Sequence, residues 1–100
     1  MESNLTGKQK RYLRSLGNTI EHRHLLGKGE IDEGFYESLD KALEAHELIK
    51  VGLLQSCELP IEEVAEKICD RLHCELAQTI GRVLLLYRES EKHKTIELPR

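Results

Sequence analysis

Between Leu25 and Val51 the spacing of apolar residues changes period twice, and this order of strand, helix and strand narrows the architecture more than any other stretch. The run reads LLGKGEIDEGFYESLDKALEAHELIKV. A short apolar strand ends at Leu26 and passes into a glycine-containing loop, Gly27-Lys28-Gly29-Glu30. Asp32 is placed as a helix N-cap, and Phe35, Leu39, Ala42 and Leu43 recur along one helix face. From Glu47 to Leu54 the pattern alternates, with Ile49, Val51 and Leu53 on one face and Lys50 and Gly52 on the other. A loop of this kind at a helix N-terminus can receive an anion, because its N–H groups are free and the helix dipole favours negative charge. The same spacing also serves as a purely structural turn.

The flanking elements follow from the same patterns. Leu5 to Leu16 reads as a helix with Leu5, Tyr12, Leu13 and Leu16 on the core side and Lys10, Arg11 and Arg14 on the other, closed by Gly17-Asn18. Thr19 to Leu26 reads as the first strand. Gln55 to Leu59 is a loop, and Pro60 suits the first turn of a helix. Ile61, Val64, Ala65, Ile68, Cys69 and Leu72 form that helix's apolar face, opposite Glu62, Glu63, Glu66, Lys67 and Asp70. Glu75–Ile80 and Val83–Arg88 read as strands joined by a tight hairpin at Gly81-Arg82. The unbroken apolar run from Val83 to Leu86 suits a strand covered on both faces. The charged tail, Glu89 to Arg100, is expected to be partly ordered at most.

One hundred residues fit one domain, 1–100, whose core must be aliphatic, since the chain has one Phe, three Tyr and no Trp. The absence of a long apolar run argues against a membrane partner, and three cysteines are too few and too odd for a disulfide framework, which places the chain in the reduced cytoplasm. The net charge of −3 hides an uneven distribution. Residues 1–30 carry six Lys/Arg against three acids, residues 31–70 three against eleven, and residues 71–100 six against four. Two basic ends around an acidic middle can fold into one basic and one acidic surface.

Signals for chemistry are weak. His22 and His24, two apart in a strand, point to one side, but no neighbouring Cys or carboxylate completes a tetrahedral metal set. Cys69, His73 and Cys74 look metal-like in spacing, yet Cys69 falls on the apolar face as a small hydrophobe does. No cysteine is paired with a positioned base, so neither a metal nor an enzymatic nucleophile is expected.

With its elements in the order α-β-α-β-α-β-β, the chain resembles single-domain CRM (chloroplast RNA splicing and ribosome maturation) proteins of the small bacterial YhbY-like kind. The segments that carry the resemblance are LTGKQKRYLRSL at 5–16, LLGKG at 25–29, ALEAHELIKV at 42–51, IGRVLLLYR at 80–88 and IELPR at 96–100. ALEAHELIKV followed about thirty residues later by a G-x-x-L-x-L-Y-R hairpin is a specific combination. The resemblance implies an α/β (α+β-like) domain, a mixed four-stranded sheet with helices packed on it, similar to the C-terminal domain of translation initiation factor three. It further implies a non-catalytic RNA-binding protein without cofactor or small-molecule substrate. Its partners would be precursor rRNA of the large ribosomal subunit and, with it, ribosomal proteins.

The RNA surface attributed to the family combines a G-x-x-G loop with basic residues of the first helix, much as KH domains clamp backbone nucleotides. Here that surface would comprise Lys8, Lys10, Arg11 and Arg14, the loop residues Gly27, Lys28 and Gly29, and an extension through Arg82 and Arg88. Tyr12 and Tyr87 could stack on bases, although both fit apolar patterns. The loop departs from the family at its fourth position, where Glu30 replaces the usual Gly and sets a carboxylate where phosphate should approach. The competing reading is a protein-binding adapter that docks the acidic residues 31–70 on a basic ribosomal protein or assembly factor.

Overall fold

In the computed structural model, residues 4–29 and 31–100 are described. The elements are α1 (Gly7–Gly17), β1 (His24–Leu26), α2 (Glu33–His46), β2 (Leu48–Leu53), α3 (Ile61–Leu72), β3 (Glu75–Ile80) and β4 (Val83–Tyr87). The four strands form one sheet in the order β1-β2-β4-β3, with β1 parallel to β2 and the other pairs antiparallel. The expected mixed α/β architecture is the one observed.

Strand alternation sorts the core into two layers. Ile49, Val51 and Leu53 of β2 and Leu84 and Leu86 of β4 point to one face, where Leu39 and Leu43 of α2 and Val64 and Ile68 of α3 cover them. Leu48, Leu85 and Tyr87 point to the other face and pack under Leu13 of α1. The apolar run in β4 is thus covered on both sides, as a central strand must be. Gly81 (φ +56) opens the two-residue turn between Ile80 and Val83, the position that a type II′ hairpin reserves for glycine.

Several boundaries differ from expectation, each for a local reason. α1 begins at Gly7, because Thr6 and Gln9 form a reciprocal capping box, with Thr6 Oγ1 accepting from Gln9 N–H at 3.1 Å and Gln9 Oε1 accepting from Thr6 N–H at 3.0 Å. Leu5 lies before the helix but still packs on the second layer. Gly17 is the last helical residue, not a left-handed cap. A Cβ there would stand 3.0 Å from Leu85 Cδ2, so its glycine lets the helix end approach β4. Strand β1 is only three residues long, since the chain turns after α1 and Thr19–Arg23 has no strand pairing. Pro60 serves as the N-cap of α3.

The tail departs most from expectation: it packs against the body of the domain. Glu47, the fully buried C-cap of α2, accepts hydrogen bonds on its carboxylate from Ser90 N–H (2.8 Å), Thr95 N–H (2.7 Å) and Ile96 N–H (2.9 Å). Ile96 and Leu98 then join the layer under α1, and Gln9 Nε2 donates to the Pro99 carbonyl at 3.0 Å. Glu47 holds a positive φ of 66°, a strained value for a non-glycine residue that these contacts over-determine.

Candidate nucleic-acid interface

The basic residues of α1 do not form one undivided surface. Lys10, Arg14 and Asn18 are spaced four apart and make a single row along the helix. Arg11 stands beside it, exposed. Lys8 lies round the helix on the tail side, where its Nζ donates to the Arg100 carbonyl at 3.4 Å. Tyr12, placed on the core side by its spacing, is instead 38% exposed, whereas Tyr87 is buried.

The row ends over an uncovered part of the sheet. α1 stops above Leu85, which pairs with Lys50, so none of the described helices covers the final stretch of the sheet on this face. Gly17, Asn18, Arg23, Lys50, Gln78 and Ile80 line a shallow groove there, and no acidic side chain lines it among the described residues. Ile80 and Leu25 are left 62% and 56% exposed. Gly52 brings the backbone close beneath Leu25 and the stem of Arg23, with 3.2 Å from a would-be Cβ to Leu25 Cδ2.

The glycine loop lies at this same end. β1 and β2 run parallel and finish together at Leu26 and Leu53, while β4 starts opposite them at Val83. Gly29 has φ +96 with open space around it, and Lys28 beside it is exposed. Gly27 is half-buried against Ser56 and Leu54. The N-terminus of α2 is already satisfied: Asp32 Oδ1 accepts from Phe35 N–H at 2.8 Å, and Glu33 adds a second acid in the first turn. A phosphate at the loop would therefore meet Lys28 and the Gly29 backbone rather than a bare helix end. Glu30 lies outside the described residues.

The two remaining arginines are spent on the fold. Arg82 donates to the carbonyls of Leu53 (3.2 Å), Leu54 (2.8 Å) and Cys57 (3.2 Å), tying the hairpin to the turn after β2. Arg88 sits at the far end of β4, bonded to Asp40 Oδ1 at 2.7 Å and to the Leu72 carbonyl at 3.1 Å. By contrast, no hydrogen bond or ion pair among the described residues engages the side chains of Lys10, Arg11, Arg14, Arg23 or Lys28. Charge counting had no way to single out Arg23 and Lys50, because they come from a coil and from a mostly buried strand.

The cysteines of the metal-like spacing pack in the core. Cys69 and Cys74 are buried with their sulfurs 3.7 Å apart, and the Cys74 thiol donates to Cys69. His73, between them in sequence, is the exposed left-handed C-cap of α3. No group of three or more His, Cys, Asp or Glu is placed to hold a metal among the described residues. Likewise, none of the described helices is long and apolar enough to cross a membrane.

A row of cations running along a helix toward an open sheet end is an arrangement able to neutralise a polyanion, carried here on a mixed α/β domain of three helices and a four-stranded sheet. A sequence model of the CRS1/YhbY (CRM) domain matches residues 5–88, and the chain belongs to this family. It is 45% identical over 95 residues to the Bacillus subtilis (strain 168) protein named "Probable RNA-binding protein YqeI", covering 95% of this chain and 99% of that one. It is 35% identical over 96 residues to a Haemophilus influenzae protein named "RNA-binding protein", covering 96% of each. The solution structure of a Staphylococcus aureus protein described as "a putative RNA binding protein" superposes with a TM-score of 0.78 at 47% identity, covering 95% of this chain and 99% of the other.

Proposed function

We propose that this protein binds RNA in the cytoplasm, without catalysis, and acts on precursor rRNA of the large ribosomal subunit during assembly. The observation that carries the reading is the groove at the end of α1, lined by Arg23 and Lys50 with no acid among the described residues. Lys10, Arg11 and Arg14 on α1 and Lys28 in the glycine loop would extend it, their side chains engaged by no hydrogen bond or ion pair among the described residues. Membership of the CRM family and relatives named as RNA-binding proteins support it. Cations arranged in this way neutralise successive phosphates and fix the register of a strand. Gly29 leaves room for the RNA backbone beside Lys28, and exposed Leu25 and Ile80 offer apolar surface to bases. Arg82 keeps the turn after β2 rigid, and Lys8, Gly27 and Arg88 support the fold more than the contact.

A second reading has its own observation. Glu62, Glu63, Glu66 and Asp70 are exposed on α3, across the sheet from α1, and could dock a basic ribosomal protein or assembly factor. Charge reversal separates the two. Lys10→Glu/Arg14→Glu/Arg23→Glu is expected to abolish binding to large-subunit rRNA fragments, while Glu62→Lys/Glu63→Lys/Glu66→Lys leaves it intact or tightens it. The opposite pattern would transfer the function to the acidic face.

A further inference from the structure

The truncation of β1 leaves a notch. β1 pairs with β2 only across Val51–Leu53, so the edge of β2 at Leu48–Lys50 has no strand beside it. The chain from Thr19 to Arg23 arches over that edge instead, held where the Ile20 carbonyl accepts from Lys50 Nζ at 3.0 Å. Beneath the arch is a half-open cavity of about 440 Å³, with Thr95 and Ile96 of the tail among its lining residues. We propose that this notch receives one unpaired nucleobase of the bound RNA, an inference that rests on the RNA-binding reading.

The chemistry of the walls selects the ligand. Leu16, Ile20, Leu48 and Ile96 make an apolar floor, and the imidazoles of His22, His24 and His46 stand around it. Among the described residues the lining holds one carboxylate, Glu21, and one ammonium, Lys50, which already donates to the Ile20 carbonyl. A phosphate would find an apolar surface and a carboxylate here. A nucleobase has two apolar faces and a polar edge, which is the inverse of this site.

The histidines supply what such an edge needs. The His22 and His24 rings meet edge to face, with centroids 4.8 Å apart and planes at 88°, which leaves aromatic surface for a further stacked ring. Burial, and then the neighbouring His22 and His46 imidazoles, hold the pKa of His24 below its ordinary value, which favours the neutral ring. A neutral imidazole presents one donor and one acceptor, and Glu21 can accept from an exocyclic amine. The path into the notch is short in sequence. Arg23 lines the basic groove while its neighbours His22 and His24 line the notch, and Lys50 lines both. A strand whose phosphate lies at Arg23 can turn its base past Lys50 into the cavity.

The test compares two dodecamers: a mixed-sequence single-stranded RNA, and a phosphate backbone of the same length with tetrahydrofuran spacers in place of nucleosides. The intact protein is expected to bind the RNA more tightly. His22→Ala/His24→Ala should weaken RNA binding about tenfold, the size of one lost base stack, and leave spacer binding unchanged. Imidazole NMR signals of His24 and His46 in the unaltered protein should move with RNA and stay still with the spacer. Equal losses on both oligomers, no loss on either, or imidazole signals that RNA does not move would overturn the pocket while leaving the backbone contact standing. If the unaltered protein binds neither oligomer, the RNA reading falls and the pocket falls with it.

Discussion

At the scale of single residues, Glu47 concentrates more of the structure than any other side chain. Burial alone would raise its pKa, but the backbone N–H groups of Ser90, Thr95 and Ile96 and the Thr95 hydroxyl outweigh that and hold the carboxyl below its ordinary 4.5. A carboxylate accepts from every one of these donors; a carboxamide would turn its NH₂ toward them. Glu47→Gln should therefore cost about 2 kcal/mol at neutral pH, measured by urea denaturation. The pH dependence has a definite sign. Because the folded pKa is depressed, the stabilisation is complete above the unfolded value and disappears as pH falls through the folded one. The unaltered protein should lose stability as pH drops below 4.5, and the Gln variant should show a shallower acid limb. The sequence shows Glu47 only as one acid in ALEAHELIKV. Its partners are main-chain groups more than forty positions later, which no side-chain pattern records.

Among the elements, legibility follows periodicity. α3 was plain in the sequence because six apolar residues repeat over its length, and five of them are buried. The central position of β4 was equally plain from its unbroken apolar run. β1 was overextended because Ile20 and the histidines offer a weak alternation, while the connector's route is set by the Lys50–Ile20 contact across the chain. In α1, the residue pair Gly17-Asn18 marked the right place for the wrong reason. Asn18 caps with an ordinary right-handed φ of −62°, and Gly17 is needed for its close approach to Leu85. Gly17→Val should thus lose about 2 kcal/mol from overpacking, seen as a lower thermal midpoint. Stability unchanged within about 0.5 kcal/mol, as for an ordinary surface substitution, would refute that close approach.

The molecule as a whole divides its charge by face. The acids of α3 lie across the sheet from the cations of α1, and the overall −3 is a poor guide to what either surface meets. Local charge clusters in the sequence pointed to α1 and Lys28; α1 runs from the Glu75–Tyr87 end of the sheet to Leu85, and Lys28 follows β1 at the other end. Arg23, Lys50 and the exposed apolar residues between them emerge only once strand order and the end of α1 are known. The most direct measurement of this surface is the affinity for large-subunit rRNA fragments over a salt series. Each neutralised phosphate contributes roughly −0.7 to −0.9 to the slope of log K against log salt, so about five cations give a slope of about −3 to −5. Arg23→Ala and Lys28→Ala should each flatten it by about 1. A slope near zero, or one that Arg23→Ala and Lys28→Ala leave untouched, would contradict these cations as the binding surface.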